Sequence, residues 1–177
     1  MTQRINDMRE NIGRYISMML VLMVYVVSNS ASAQQPFPPP LQLQVFTIQG
    51  LGFGSFFTGG TGGAIHINPA GGRSTTGSVI GLPADPGMQA IFNVRLIPGR
   101  LVHINLSNSA TLYRSGGSET LTVTNFVSDK PGNMFITTGG QPFINPVQIG
   151  ATLHVGNISS NPAGEYSGSF SVTFIQE

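Results

Sequence analysis

The stretch GEYSGSFSVTF, residues 164–174, decides the fold class. From residue 166 onward, serine and threonine occupy every second position. Successive side chains of a β-strand point to opposite faces, so this alternation predicts a strand with one face in an apolar core and the other in solvent. The expected core-facing positions are Tyr166, Gly168, Phe170, Val172 and Phe174.

Several upstream segments show the same period of two. Residues 147–155 alternate apolar and polar positions around Leu153. Residues 89–96 and 101–106 flank the turn signal Pro98-Gly99 and predict a β-hairpin. Further short strands are predicted at residues 64–67, 111–114, 120–127 and 134–137, with Gly, Pro, Asn and Ser between them. A two-sheet antiparallel β-sandwich accommodates this all-β pattern.

Two glycine-rich segments lie near the start of this region. Leu51, Phe53 and Phe56 are interspersed with glycines, which predicts a strand that another backbone approaches closely. The run GGTGG at residues 59–63 predicts a loop. Neither segment is followed by a Gly-Lys-Ser/Thr ending or a predicted helix, so neither indicates a phosphate-binding loop.

The segment at residues 41–49 has a change of phase. Leu41, Leu43 and Val45 alternate with glutamine, whereas Phe46 and Ile48 continue the apolar positions in the opposite register. A single face of a strand cannot bury all five residues unless the strand contains a bulge. Burial on both sides is the alternative.

The first 33 residues have the features of a secretory signal. Arg4, Arg9 and Arg14 precede an apolar run at residues 15–27, and Ala31-Ser32-Ala33 matches the pattern that signal peptidase cleaves. A membrane-spanning helix needs about 20 apolar residues, so an integral anchor is the weaker interpretation. We therefore expect a signal peptide at residues 1–33, a proline-rich leader at 34–40 and a β-sandwich domain at 41–177. We therefore expect the general secretory route to export the protein to the periplasm or cell surface.

This assignment predicts the mature N-terminus. Mass spectrometry of the exported protein is expected to find an N-terminal peptide that begins at Gln34, in its free or pyroglutamate form, because signal peptidase cuts after the small residues 31–33. Intact Met1 in the membrane fraction would contradict the assignment.

Charge and composition exclude some partners. Three of the eight basic residues and two of the seven acidic residues precede residue 34, so five of each remain. A near-neutral domain without a basic cluster has no electrostatic footprint for nucleic acid or anionic lipid. The chain has no cysteine, so packing and hydrogen bonds must hold the domain without disulfides.

No residue pattern indicates catalysis, a cofactor or a metal. His66, His103 and His154 alternate with apolar residues in predicted strands and are interpreted as solvent-facing. The nucleophile motif Gly-x-Ser-x-Gly is absent, and the acidic residues lie beside turn residues. A triad or a metal site assembled across strands stays open, but the expectation is a protein that is not an enzyme.

The quoted segments at residues 51–56, 147–155 and 164–174 together resemble a bacterial secreted family catalogued only as a domain of unknown function. More distantly, the closing segment is similar to spore coat U domains and archaic chaperone-usher pilins. The resemblance implies an immunoglobulin-like β-sandwich that serves as a surface or fimbria-like subunit and associates with itself or with other surface subunits. Archaic pilins commonly carry a disulfide near the N-terminus, which this chain cannot form.

The resemblance also implies two fates for the N-terminal strand. In pilins that assemble by strand exchange, such a segment completes the sheet of the next subunit, and Leu41, Leu43, Val45 and Ile48 would then be its anchoring side chains. The alternative, slightly favoured because only Gly50 links this strand to Leu51, is that it folds back into its own domain. A soluble module that binds a small ligand or a glycan is the alternative function.

Overall fold

The computed structural model describes residues 42–177, and the predicted signal peptide, the proline-rich leader and Leu41 lie outside the described residues. The described part consists of strands and one short 3-10 turn at Pro131–Asn133. The strands are β1 Gln44–Gln49, β2 Phe56–Ile67, β3 Arg73–Gly81, β4 Ala90–Arg95, β5 Leu101–Leu106, β6 Ser109–Arg114, β7 Thr120–Ser128, β8 Met134–Ile136, β9 Ile144–Val155, β10 Tyr166–Ser167 and β11 Val172–Gln176.

Two antiparallel sheets confirm the all-β sandwich expected from the sequence. The main sheet has eight strands in the order β1-β4-β9-β7-β6-β10, and β2 joins it by pairing with β9 and with β3. The second sheet has three strands in the order β11-β5-β8. Side chains from both sheets form the core, among them Ile65, Val94, Val102, Ile149 and Leu153. The second sheet is therefore much narrower than the first.

The hairpin predicted at residues 89–106 is wrong, although both of its strands exist. Strand β4 pairs with β1 and β9 in the main sheet, whereas β5 pairs with β11 and β8 in the second sheet. Thr137 holds the connection in place: its backbone oxygen accepts from the amide of Gly99, and its hydroxyl donates to the carbonyl of Ile97 at 2.7 Å. The chain thus crosses between layers, and the apolar faces of β4 and β5 pack across the core rather than side by side.

The closing segment is two strands rather than one. Tyr166 and Ser167 pair with β6, whereas Val172–Gln176 pairs with β5 in the other sheet. Ser171 bonds to Ser107 at this corner: the amide of Ser107 donates to the carbonyl of Ser171 at 3.1 Å, and the hydroxyl of Ser107 accepts from the amide of Ser171 at 2.9 Å. A strand that switches sheets needs such a bend. The alternation of inward and outward side chains nevertheless continues through it.

The predicted loop at residues 59–63 is also wrong. These residues lie within β2, whose pairing with β3 is irregular between Thr58 and Gly63. A Cβ atom at Gly63 would collide with the carbonyl oxygen of Thr76, and one at Gly62 with that of Val155. Glycine is required here because neighbouring strands come too close for a side chain.

The phase change predicted in the first strand corresponds to an irregularity in its pairing. The register of β1 against β4 shifts between Thr47 and Gln49. Val45, Phe46 and Ile48 are all exposed, because β1 is an edge strand that β4 contacts on one side. In the described part of the chain, no helix is long and apolar enough to cross a membrane.

Candidate functional site

An open apolar groove of about 1010 Å³ lies on the inner face of the main sheet, beside the narrow second sheet. Its floor consists of side chains from four adjacent strands: Ala90 and Phe92 of β4, Ala110 and Leu112 of β6, Leu121 and Val123 of β7, and Leu153 and Val155 of β9. Its two walls are chain segments, which we call the first wall (residues 50–58) and the second wall (residues 161–170). The groove is open to the described surface, so a partner could fill it.

The guanidinium of Arg73 holds the first wall. Its Nη1 donates to the carbonyl oxygens of Asp85 at 2.8 Å, Ser55 at 3.3 Å and Phe53 at 3.4 Å, and its Nη2 donates to that of Leu82 at 2.7 Å. These four carbonyls belong to two separate segments of the chain. The planar guanidinium presents several donors in a fixed geometry, which suits it to joining them.

Two glycines make room for this arrangement. A Cβ atom at Gly54 would collide with the carbonyl oxygen of Asp85, and one at Gly81 would lie 2.5 Å from the guanidinium carbon of Arg73. Gly54 also has a φ of +71°, which L side chains rarely adopt. The glycines predicted to allow a close backbone approach therefore do so at Gly54, where the first wall meets the segment around Asp85.

Replacing Arg73 tests this role. Arg73→Lys is expected to lower the free energy of unfolding by about 1–3 kcal/mol, because one ammonium cannot reach four carbonyls and leaves some of them without a donor. Chemical denaturation measures the loss. Arg100→Lys, at an exposed loop position, is the matched control and should change stability by less than about 0.5 kcal/mol. Equal effects of the two substitutions would contradict the role of Arg73.

The second wall is held by two side chains that reach back to its carbonyls. The hydroxyl of Tyr166 donates to the carbonyl of Pro162 at 2.9 Å, which is the geometry expected of a tyrosine corner. The Nε of Arg114 donates to the carbonyl of Ala163 at 3.2 Å, and its Nη1 lies 3.2 Å from Oε2 of Glu119. The backbone amide of Glu119 and then the Arg114 guanidinium hydrogen-bond to the ionised carboxyl, which lowers the pKa of Glu119.

Part of the second wall has unpaired main-chain groups. No backbone hydrogen bond joins Ser169 or Phe170 to another described residue, because the chain here is crossing from one sheet to the other. The ring of Phe170 stacks on Phe126 with centroids 4.9 Å apart, which holds this side chain in the groove lining. Unpaired N–H and C=O groups beside an apolar slot are what an added β-strand requires.

Few charged residues line the groove. Asp85 and Glu165 are the charged residues among those lining it, and no described lysine or arginine is in the lining. Arg73 and Arg114 hold the two walls and offset these two negative charges. An uncharged apolar chain suits such a lining.

The nine residues predicted to be structural lie in or near the core. Phe53 is 8% exposed and Leu153 is 1% exposed. Six others are half-buried and pack against the core: Leu51, Phe56, Tyr166, Phe170, Val172 and Phe174. Gly168 is exposed, but a Cβ atom there would collide with the carbonyl oxygen of Thr111. Seven of the nine line the groove: Leu51, Phe53, Phe56, Leu153, Tyr166, Gly168 and Phe170.

The predicted strand-exchange segment is only partly described. Leu41 lies outside the described residues, Leu43 is half-buried against the core, and Val45 and Ile48 are 41% and 58% exposed. In the structure this strand pairs with β4 of its own domain, and Thr47, near its C-terminal end, lines the groove.

The three histidines are not brought together. Nδ1 of His66 lies 3.1 Å from Oγ1 of Thr152, and Nε2 of His154 lies 2.8 Å from Oγ1 of Thr124, both on the main sheet. His103 is on the second sheet, where its Nε2 lies 3.2 Å from Oε1 of Glu177. Among the described residues, no three His, Cys, Asp or Glu side chains are grouped so that they could hold a metal ion.

Two features were missed from the sequence. Strand β3, which carries Arg73, was not predicted because its RSTTGSVIG sequence is rich in serine, threonine and glycine rather than in alternating apolar residues. Tyr113 was not singled out, yet it is 62% exposed on β6. Its alternation with Ala110, Leu112 and their polar neighbours was the available signal that its ring points outward.

Comparison with known proteins gives one assignment. A family model described as a domain of unknown function, DUF4402, matches residues 43–175, which is almost all of the described part. No curated protein and no solved structure matches the chain. The match spans both sheets and both walls of the groove, and it confirms the expectation of a domain-of-unknown-function family. The chain therefore belongs to the DUF4402 family.

Proposed function

We propose that the protein is an exported, non-enzymatic structural subunit of a surface assembly, in which the N-terminal segment of one copy fills the groove of the next. The observation that carries the proposal is the open apolar groove with a wall of unpaired main chain. Export rests on the predicted signal peptide, and the surface role is also supported by the resemblance to spore coat U and pilin domains.

The groove suits an extended strand for three reasons. Its floor is apolar, so alternate side chains of a strand would be buried there. Main-chain groups at Ser169 and Phe170 are free to bond to the added strand. Both walls are held by side-chain hydrogen bonds, so little ordering is needed on binding, which favours affinity.

The N-terminal segment suits the groove in turn. Residues 34–49 carry no charged side chain, so the carboxylates of Asp85 and Glu165 do not repel them. Leu41, Leu43 and Val45 repeat at the spacing at which a strand presents side chains to one face. Their own strand is an edge of the main sheet, so leaving it releases the pairing with β4 and the packing of Leu43 against the core, which the neighbouring groove would have to replace.

Insertion of β1 into the groove of its own copy is disfavoured by direction. Strand β1 runs toward the groove, with Thr47 at the groove and Gln44 paired to Arg95 farther along β4. Gln44 therefore lies at the end of β1 that is distant from the groove. A segment from a second copy has no such restriction, and head-to-tail contacts between unlike surfaces generate open polymers when their rotation does not close a ring.

A second candidate function is a binding module for a small apolar ligand. The groove volume lies at the upper end of the range of about 300–1,000 Å³ that is usual for ligand pockets, and its floor is apolar. Titration of the protein with a neutral apolar dye, compared with the dye alone, would detect this binding.

A synthetic peptide of residues 41–49 separates assembly from self-completion. When the peptide is added to full-length monomer, it is expected to occupy the groove and to block the growth of oligomers. Light scattering should then detect single subunits with bound peptide. Electron microscopy of producing cells with labelled protein is expected to show filaments or a surface layer. The proposal would be contradicted if the protein stays monomeric at all concentrations and does not bind the peptide.

A further inference from the structure

On part of the outer face of the main sheet, opposite the groove, most side chains are polar and none is acidic, lysine or arginine. Its strands lie side by side in the order β3, β2, β9, β7, β6 and β10. One row across the first five strands consists of Ser74, His66, Thr152, Thr124 and Ser109. The next row consists of Thr76, Ala64, His154, Thr122 and Thr111, and a shorter third row of Thr120, Tyr113 and Ser167. We call these thirteen residues the hydroxyl face.

The hydroxyl face offers no acidic, lysine or arginine side chain that could form an ion pair with a partner. The hydroxyl face contains no Asp, Glu, Lys or Arg, whereas about a quarter to a third of the residues on a soluble protein surface are charged. Serine and threonine hydroxyls each supply one donor and two acceptor sites. A partner for such a face must itself be uncharged and rich in groups that both donate and accept hydrogen bonds.

Hydrogen bonds within the face order its centre. Nδ1 of His66 bonds to Oγ1 of Thr152 at 3.1 Å, and Oγ1 of Thr124 bonds to Nε2 of His154 at 2.8 Å. Each of these groups keeps further hydrogen-bonding capacity for a partner. The side chains at the centre are thus already positioned before a partner arrives.

One aromatic ring lies at the edge of the array. Tyr113 is 62% exposed, with Thr120 and Ser167 as its partners on the neighbouring strands. An exposed tyrosine offers an apolar ring surface together with a polar hydroxyl. This combination matches a sugar, whose C–H face stacks on the ring while its hydroxyls bond to the surrounding polar groups.

We infer that the hydroxyl face binds a neutral polysaccharide chain. The six strands of the face, at about 4.8 Å spacing, extend over roughly 24 Å, which accommodates several sugar rings of an extended polymer. The inference does not depend on the proposed function, because the groove lies on the opposite face of the same sheet. An assembled subunit would present this face outward with its groove filled.

Affinity electrophoresis of the full-length protein tests the inference. Gels that contain soluble neutral polysaccharides, such as hydroxyethyl cellulose, dextran and a mixed-linkage β-glucan, are compared with a gel that contains alginate as the anionic counterpart. At least one neutral polymer is expected to retard the protein. Tyr113→Ala is expected to weaken binding about three- to tenfold through loss of stacking, whereas Tyr113→Phe retains most of it.

Two isosteric substitutions provide the internal comparison. Thr122→Val removes a hydroxyl at the centre of the hydroxyl face and is expected to weaken binding several-fold. Thr173→Val makes the same change at an exposed position of the second sheet and is expected to leave binding unchanged. Equal unfolding midpoints show that each variant is folded. No retardation by any neutral polymer, retardation by alginate alone, or equal effects of Thr122→Val and Thr173→Val would overturn the inference, whatever the state of assembly.

Discussion

A chain that begins at Gly50 is expected to aggregate on expression, whereas a chain that begins at Leu41 stays dispersed. The deletion removes β1 and leaves the whole length of β4, Ala90–Arg95, as an unpaired sheet edge. Strand β4 is buried between β1 and β9 in the intact domain, and Phe92 contacts Phe174 with ring centroids 5.9 Å apart. An exposed edge with apolar residues is a template for pairing with other chains.

Sedimentation of freshly purified protein measures this effect, and the chain beginning at Leu41 controls for loss of the leader. Addition of the peptide of residues 41–49 during refolding is expected to restore solubility of the shorter chain, since the peptide can pair with β4. A shorter chain that remains monomeric with an unchanged circular dichroism spectrum would show that β1 is dispensable for the domain.

Leu153→Ala is expected to lower the free energy of unfolding by about 2–5 kcal/mol. Leu153 is 1% exposed at the floor of the groove, and truncation there removes buried apolar contacts and leaves a cavity that the rigid sheet cannot fill. That loss is large beside a typical total stability of about 5–15 kcal/mol. Denaturant unfolding monitored by circular dichroism gives the value.

Two variants on the second wall provide stability changes to compare with that of Leu153→Ala. Phe170→Ala removes the stacking on Phe126, but the ring is half-buried at the side of an open groove, so the loss should be smaller than that of Leu153→Ala. Ser169→Ala is exposed and should change stability by less than about 0.5 kcal/mol. A Phe170→Ala loss equal to or above that of Leu153→Ala would mean that the second wall belongs to the closed core.

Local features of the fold were predictable from the sequence, and their long-range pairing was not. The alternation from Tyr166 to Phe174 correctly separated inward from outward side chains, because the period of a strand depends only on its own residues. The switch between sheets near Ser171 depends on hydrogen bonds to Ser107, which lies 64 residues away. The same reason explains why β4 and β5 were correctly placed as strands but wrongly joined as a hairpin.

The groove was not predictable, because its lining comes from distant parts of the sequence. Its first wall depends on Arg73, a residue in the strand that the pattern missed, and its second wall depends on Tyr166 and Arg114. The sequence did indicate a special role for Gly54 and its neighbours, since glycines between apolar residues are typical of close backbone contact. It also indicated an unusual first strand, whose mixed phase corresponds to an exposed edge.

Cross-linking between two copies tests strand exchange most directly. The chain contains no cysteine, so introduced thiols report only on the positions chosen. One protein carries Ser169→Cys on the second wall, and a second protein of different mass carries Leu41→Cys, Leu43→Cys or Val45→Cys. After mixing and mild oxidation, the account predicts covalent pairs of unlike mass at one or more of these positions. Yields no greater than those with a Thr122→Cys control, on the face opposite the groove, would contradict it.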